Sequence, residues 1–185
     1  LDNLSTGRLE NIKKFKRKIK FIRCDISKKG KWINQFKGKC YVFHFASLAD
    51  IVPSIQNPQK YFDSNVSGTL NVLEACRKAK VIKFLYSASS SCYGIPKRYP
   101  TKESEVINTT YPYALTKKLG EDLIIHWAKV FNISFISLRL FNVYGENQPK
   151  GFFIPDMISK VKKKQKIIID KSVRDFAHVD EISNI

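Results

Sequence analysis

Apolar residues recur along the chain at two spacings. Residues 40–46, 81–86 and 133–139 are nearly continuous apolar runs, as buried strands of a parallel sheet are. A shorter run at 19–24 reads as a further strand ending at Asp25 and Ile26, and 166–169 as a last one. Between these runs the apolar residues fall three and four apart, which is the period of a helix. Residues 8–17 form a basic helical stretch, 28–37 a short helix and 152–164 another. Asn57 and Pro58 open a helix of about twenty residues, proline being tolerated in a first turn. Its apolar face runs through Phe62, Val66, Leu70, Leu73 and Cys76. Asn65 lies on that same side and needs a hydrogen-bond partner if buried. Another amphipathic helix begins at Tyr113, behind Pro112, and continues through Leu119, Leu123, Ile124 and Trp127.

Strands alternating with helices predict βαβ units and a mostly parallel α/β sheet. Ligand sites in such sheets lie beyond the carboxyl ends of the strands. Asp2, Asp25, Ser47 and the run Ser87 to Ser91 fall at those ends. Residues 1–7 read as a strand end entering a turn, where an acid such as Asp2 is placed to accept from a ribose diol. Tyr113 and Lys117 are four apart, so a helix presents them on one face. An ammonium beside a phenol favours the phenolate, which predicts a Tyr113 pKa below its ordinary value of about 10. A tyrosine tuned that way exchanges protons near neutral pH. Taken alone, the same spacing also describes an ordinary exposed Tyr/Lys pair, and Asp2 a turn aspartate.

The chain has 185 residues, 43% hydrophobic and 12% aromatic, which is a globular composition. It has no apolar run of membrane-spanning length, so no membrane partner is expected. The net charge is +17. The excess is lysine spread along 13–20, 28–39 and 160–166, without an arginine-rich arm, zinc-finger pattern or RNA-binding signature. Solvated lysine faces and a general attraction for anionic ligands are expected, rather than specific nucleic-acid binding. Cys24, Cys40, Cys76 and Cys92 form no CxxC pair, and no His pair has metal-ligand spacing. Reduced thiols and no metal are expected. The start at Leu1, inside a strand end, and the stop at Ile185, just after a motif, read as those of an internal fragment.

In order, the chain carries LDNLSTG, CDI, HFAS, NVSGTLNVLEA, SASSSCYG, YALTK, LRLFNVYG and RDFAHVDEI. This ordered set resembles the extended short-chain dehydrogenase/reductase family, and within it the NAD-dependent nucleotide-sugar epimerases and dehydratases of the UDP-glucose 4-epimerase type. The resemblance implies a Rossmann-like doubly wound sheet over residues 1–145, lacking its N-terminal βαβ unit, and the start of a substrate domain over 146–185. It implies NAD as cofactor, with Asp2 and Asn3 at the adenosine ribose and Asp25 and Ile26 flanking the adenine. Phe45, Ala46 and Ser47 would line the cofactor, Asn65 would contact it, and Ser87 would lie beside the nicotinamide. Ser89, Tyr113 and Lys117 match the catalytic set, with Tyr113 and Lys117 also touching the cofactor. Asn142 and Arg174 match positions that bind the substrate diphosphate. A UDP-sugar substrate, a homodimer of the intact protein and a cytoplasmic location follow from the same resemblance.

The departures from the family pattern narrow the reaction. Sugar 4,6-dehydratases carry an Asp-Glu pair where this chain has Ser90 and Ser91, so dehydration is disfavoured and C4 epimerisation preferred. A dehydratase, decarboxylase or reductase of the same family is the alternative, then a non-catalytic dinucleotide-binding protein. The glycine-rich phosphate loop is absent, and the turn before Arg174 is shortened to residues 170–173. With the first strand of the order 3-2-1-4-5-6 missing, the strand at 19–24 is expected to stand apart from the others across a gap. The edge exposed there predicts an isolated fragment that is unstable and binds NAD poorly.

Overall fold

The computed structural model describes residues 1–168 and 174–184. Contacts along the chain separate two compact units, Leu1–Arg139 and Leu140–Ile185. The first unit is built on three parallel strands in the order β1 (Tyr41–His44), β2 (Lys83–Ser87), β3 (Ser134–Leu138). The register sets Phe43 beside Leu85 and Leu85 beside Ile136. After α1 (Leu9–Ile12), the crossover from β1 to β2 runs through α2 (Ile51–Gln56), α3 (Pro58–Phe62) and α4 (Gly68–Ala79). The crossover from β2 to β3 is the single long helix α5 (Pro112–Phe131).

Packing follows the alternation of the strands. Phe84 and Tyr86 point to one face and are 0% and 1% exposed. Val72, Leu73 and Cys76 of α4 and Ile124 of α5 close over them, with Trp32 and Phe36 extending the cluster. Each such side chain taken fully out of water contributes roughly 1.5–3 kcal/mol. Helix α5 comes close enough to β2 that a Cβ on Gly120 would sit 2.4 Å from the Tyr86 hydroxyl. Between α3 and α4 the chain makes one wide turn over Asp63–Ser67, in which the Gly68 N–H reaches back to the Asp63 carbonyl. The predicted twenty-residue helix is therefore continuous but widened once, at the residue, Asn65, that turns a polar side chain inward.

Several expectations are corrected. Residues 19–24 form no strand; they make only a parallel bridge, Arg23 to Asp2, with bonds from Asp2 N to Ile22 O (3.2 Å) and Cys24 N to Asp2 O (3.0 Å). A strand needs a neighbour along its length, and among the described residues only Asp2 offers one. A cleft of about 850 Å³ separates Ile19 and Ile22 from Tyr41 and Phe43 of β1. Residues 28–37 give a tight three-residue-per-turn helix at Lys31–Phe36 in place of an α-helix. Lys166–Ile168 are not a strand, and Ile169 and the shortened turn 170–173 lie outside the described residues.

The second unit holds β4 (Asn142–Tyr144) parallel to β5 (Phe176–His178), with α6 (Phe153–Lys162) and α7 (Val179–Ser183). His178 caps α7: its Nδ1 accepts from Asp180 N at 3.3 Å, while Glu181 accepts from His178 N at 3.1 Å. That is a structural use of His178. Among the described residues all four cysteines are free, and no helix is long and apolar enough to cross a membrane.

Candidate active site

The start of α5 is anchored from outside the helix. Pro112 takes the first position, where a missing N–H costs nothing, but Tyr113 N still needs an acceptor. Tyr111 provides no side-chain cap; Ser54 of α2, 0% exposed, accepts from Tyr113 N at 3.1 Å instead. The Tyr113 ring packs edge-on to Tyr61, with centroids 6.5 Å apart. One turn on, Lys117 is 3% exposed. Its Nζ donates to Ser47 Oγ at 2.8 Å and to the Ser87 carbonyl at 2.7 Å, and lies 5.2 Å above the Tyr86 ring. A single ammonium thus joins α5 to the carboxyl ends of β1 and β2.

Ser89 is 9% exposed and opens the tight turn Ser90–Tyr93. Its Oγ accepts from Ser91 N at 3.2 Å and lies 2.8 Å from Ser91 Oγ. The position that would carry a second acid in a dehydratase is therefore a hydroxyl bonded to Ser89. Asn65 is 0% exposed and fully engaged with protein. Its Oδ1 accepts from Leu48 N at 2.8 Å, and its Nδ2 donates to Leu48 O at 3.0 Å and Thr116 Oγ1 at 3.1 Å. The partner that a buried Asn65 requires is thus supplied by the protein, and the side chain ties the loop after β1 to α5.

The electrostatics differ from the expectation. Burial pushes the Tyr113 phenol above its ordinary value, Ser89 hydrogen bonding opposes that, and Asp50 adds to it. The lysine was expected to lower this pKa, and the net direction is the reverse. Desolvation of the phenol is the largest cause, and the Lys117 ammonium is held by Ser47 and the Ser87 carbonyl. Lys117 itself is brought down from 10.5 to about 8 by burial. His44, 4% exposed, is lowered to about 3 by burial first and then by Lys117; it bonds Thr69 Oγ1 at 2.9 Å and is a neutral core residue.

A family model described as the NAD dependent epimerase/dehydratase family matches residues 1–185. The chain belongs to this family. A UDP-glucose 4-epimerase of Streptomyces lividans is 30% identical over 202 residues, covering 99% of this chain and 60% of its own. Among solved structures, a UDP-N-acetylglucosamine 4-epimerase from Methanobrevibacter ruminantium M1, in complex with UDP-N-acetylmuramic acid, superposes with a TM-score of 0.91. It is 32% identical and shares 99% of this chain and 61% of its own. The UDP-glucose 4-epimerase of Thermus thermophilus, in complex with NAD, gives 0.89 at 27% identity, with 99% and 63% covered. The chain spans about three-fifths of the length of the Streptomyces lividans protein and of a relative from Methanocaldococcus jannaschii, and less of other curated relatives.

In this epimerase/dehydratase family chain the remaining predicted residues fall in distinct places. Asn3 and Asp25 border a cleft of about 620 Å³ that also includes Leu48 and Ser27. Asp25 Oδ1 accepts from Ser27 N and Ser27 Oγ at 2.9 and 2.7 Å. Asp2 accepts from Leu4 N at 2.6 Å in a local turn. Ile26 is 8% exposed within the core, with its carbonyl held by Asn71 at 2.9 Å. Ala46 packs on the core, while Phe45 is 60% exposed. Asn142 and Arg174 belong to the second unit: Asn142 Nδ2 donates to Asp175 O at 2.9 Å, and the Arg174 guanidinium lies 5.7 Å from the Phe153 ring centre. Ser54 escaped the sequence reading. The signal was available: a helix opening Tyr-Pro-Tyr leaves an uncapped donor that another segment must satisfy.

Proposed function

We propose that the intact protein catalyses NAD-dependent epimerisation of a nucleotide-diphosphate sugar, a UDP-sugar, at C4 through a 4-keto intermediate. The observation that carries this reading is the convergence of Ser89, Tyr113 and buried Lys117 at the carboxyl ends of the strands. NAD, when bound, supplies a hydride acceptor that gives the hydride back to the same carbon. The residues present fit it. Lys117 spends two of its three donors on protein, leaving one for a ribose hydroxyl. Asn3 and Asp25 offer acceptors at the cleft beside Leu48 for the adenosine end, and Asp2, next to Asn3 in the chain, borders the neighbouring cleft along β1.

In this reading Tyr113 takes the proton of the sugar 4-hydroxyl and later returns it. Ser89 bonds the same oxygen and holds it in line. The Lys117 charge favours the phenolate once proton transfer begins, against the cost of burial. Asn142 and Arg174 bind the diphosphate, and residues 146–185 begin the sugar domain. Hydroxyls at Ser90 and Ser91 provide no acid for a leaving hydroxyl, which favours epimerisation over dehydration. Leu115 and Ile125 on the outer face of α5, each 46% exposed, suit pairing of two copies as a homodimer. We place the intact protein in the cytoplasm. The test is the intact protein assayed with UDP-glucose, UDP-N-acetylglucosamine and UDP-glucuronate. Tyr113→Phe is expected to abolish 4-epimer formation while NAD remains bound; near-normal turnover by that variant refutes the assignment.

A further inference from the structure

Arg139 follows β3, and its guanidinium joins two parts of the site that lie far apart in sequence. On one side Nη2 and Nε donate to the Glu121 carboxylate at 2.9 and 3.1 Å. Glu121 lies one helical turn beyond Lys117 on α5, is 4% exposed, and also accepts from Ser137 Oγ at 2.7 Å. On the other side Nη1 donates to Tyr93 Oη at 2.8 Å and to the Glu103 carbonyl at 3.0 Å, with the guanidinium 5.2 Å from the Tyr93 ring centre. Tyr93, 4% exposed, closes the turn that Ser89 opens, and within that turn Cys92 N donates to Ser89 O at 3.3 Å.

We propose that Arg139, with Glu121 and Tyr93, is a positioning brace that fixes the Ser89 hydroxyl relative to Tyr113 by tying the Ser89 turn to α5. The proposal rests on reading Ser89 and Tyr113 as the proton-transfer pair. An ion pair this deep is a poor device for stability alone, since apolar side chains of the same volume hold a helix to a sheet as well. What the guanidinium adds is direction, because its planar fork serves a carboxylate and a phenol oxygen at fixed angles. The pair remains ionised: burial raises the Glu121 carboxyl, but bonds from Arg139 and Ser137 outweigh it and hold the group below its ordinary value.

The test uses the intact protein with Tyr93→Phe, which removes the hydroxyl that accepts from Arg139 and donates to the Glu103 carbonyl, and Arg139→Lys, which keeps the charge and loses the fork. Tyr113 is followed by ultraviolet difference titration against Tyr113→Phe in the same background, without cofactor or substrate. Because Ser89 bonding lowers the Tyr113 pKa, loosening the turn should move the Tyr113 titration to higher pH. We expect kcat to fall about tenfold with KM held within about twofold. Adding Ser89→Ala to Tyr93→Phe should shift Tyr113 no further than Ser89→Ala does alone. A Tyr113 titration unmoved in both single variants overturns the brace, as does an additive shift in the double variant. If the wild-type protein turns over no sugar nucleotide, the proposed function fails while the titration still decides the brace.

Discussion

Lys117 is the residue whose chemistry the fold changes most. Taking it from a pKa of 10.5 to about 8 corresponds to about 3 kcal/mol of folding free energy. Below pH 8 the lysine is protonated in both folded and unfolded chains, and that cost is present in full. Between pH 8 and 10.5 the unfolded chain binds more protons, so this group's contribution to stability rises with pH. Lys117→Met removes the slope. Urea unfolding of the intact protein and this variant at pH 7 and at about pH 9.5 should show the difference moving in the wild type's favour by about 2 kcal/mol. Parallel stability curves would refute the burial of the charge. The Tyr113 and Lys117 pair was legible in the sequence because helical spacing and strand-end serines survive as local pattern. The direction of the Tyr113 pKa was not, since it depends on burial, and burial is set by residues such as Ser54 and Tyr61 that sit more than fifty positions away.

Helix α5 carries the candidate chemistry, and its seat on β2 is set at Gly120. A Cβ there would lie 2.4 Å from Tyr86 Oη and 3.0 Å from its Cζ. Tyr86 cannot swing away, being 1% exposed and stacked on His44 at 5.7 Å. Gly120→Ala gains about 1 kcal/mol of helix propensity and meets an overpacking cost of about 1–3 kcal/mol. A net loss of about 1 kcal/mol with reduced activity is expected, because α5 must lift with Tyr113 and Lys117 on it. Tyr86→Phe, which takes away the clashing oxygen, should restore part of the loss in a double-mutant cycle of unfolding free energies. No coupling would show that the close approach is not what fixes α5. The elements that were legible are those with long apolar periods: β1, β2, β3, α4, α5 and α6. Residues 19–24 misled because their strand pattern needs a partner that, among the described residues, exists only at Asp2. The three-residue strands β4 and β5 and the proline-containing α2 are too short to show a period at all.

At the scale of the first unit the conspicuous feature is a sheet with an open edge. Tyr41, Phe43 and Phe45 alternate along β1 and beyond it, and are 63%, 63% and 60% exposed. The register continues Phe43 across Leu85 to Ile136, itself 40% exposed, so the apolar surface extends over the sheet. On its free side β1 faces the cleft of about 850 Å³ in place of a paired strand. An unpaired strand with exposed aromatic side chains is a template for self-association. The charge of +17 opposes that through repulsion, which salt screens. The 185-residue chain expressed alone should therefore associate as its concentration rises, and more so at higher ionic strength. Phe43→Lys puts a charge on the edge and should suppress the association. Ile95→Lys removes a residue that is 88% exposed but lies in a loop, and should leave it unchanged. Light scattering across a concentration series separates the two. Equal effects of both variants would mean that total exposed apolar area drives the association, and equal failure would place the sticky surface elsewhere than β1.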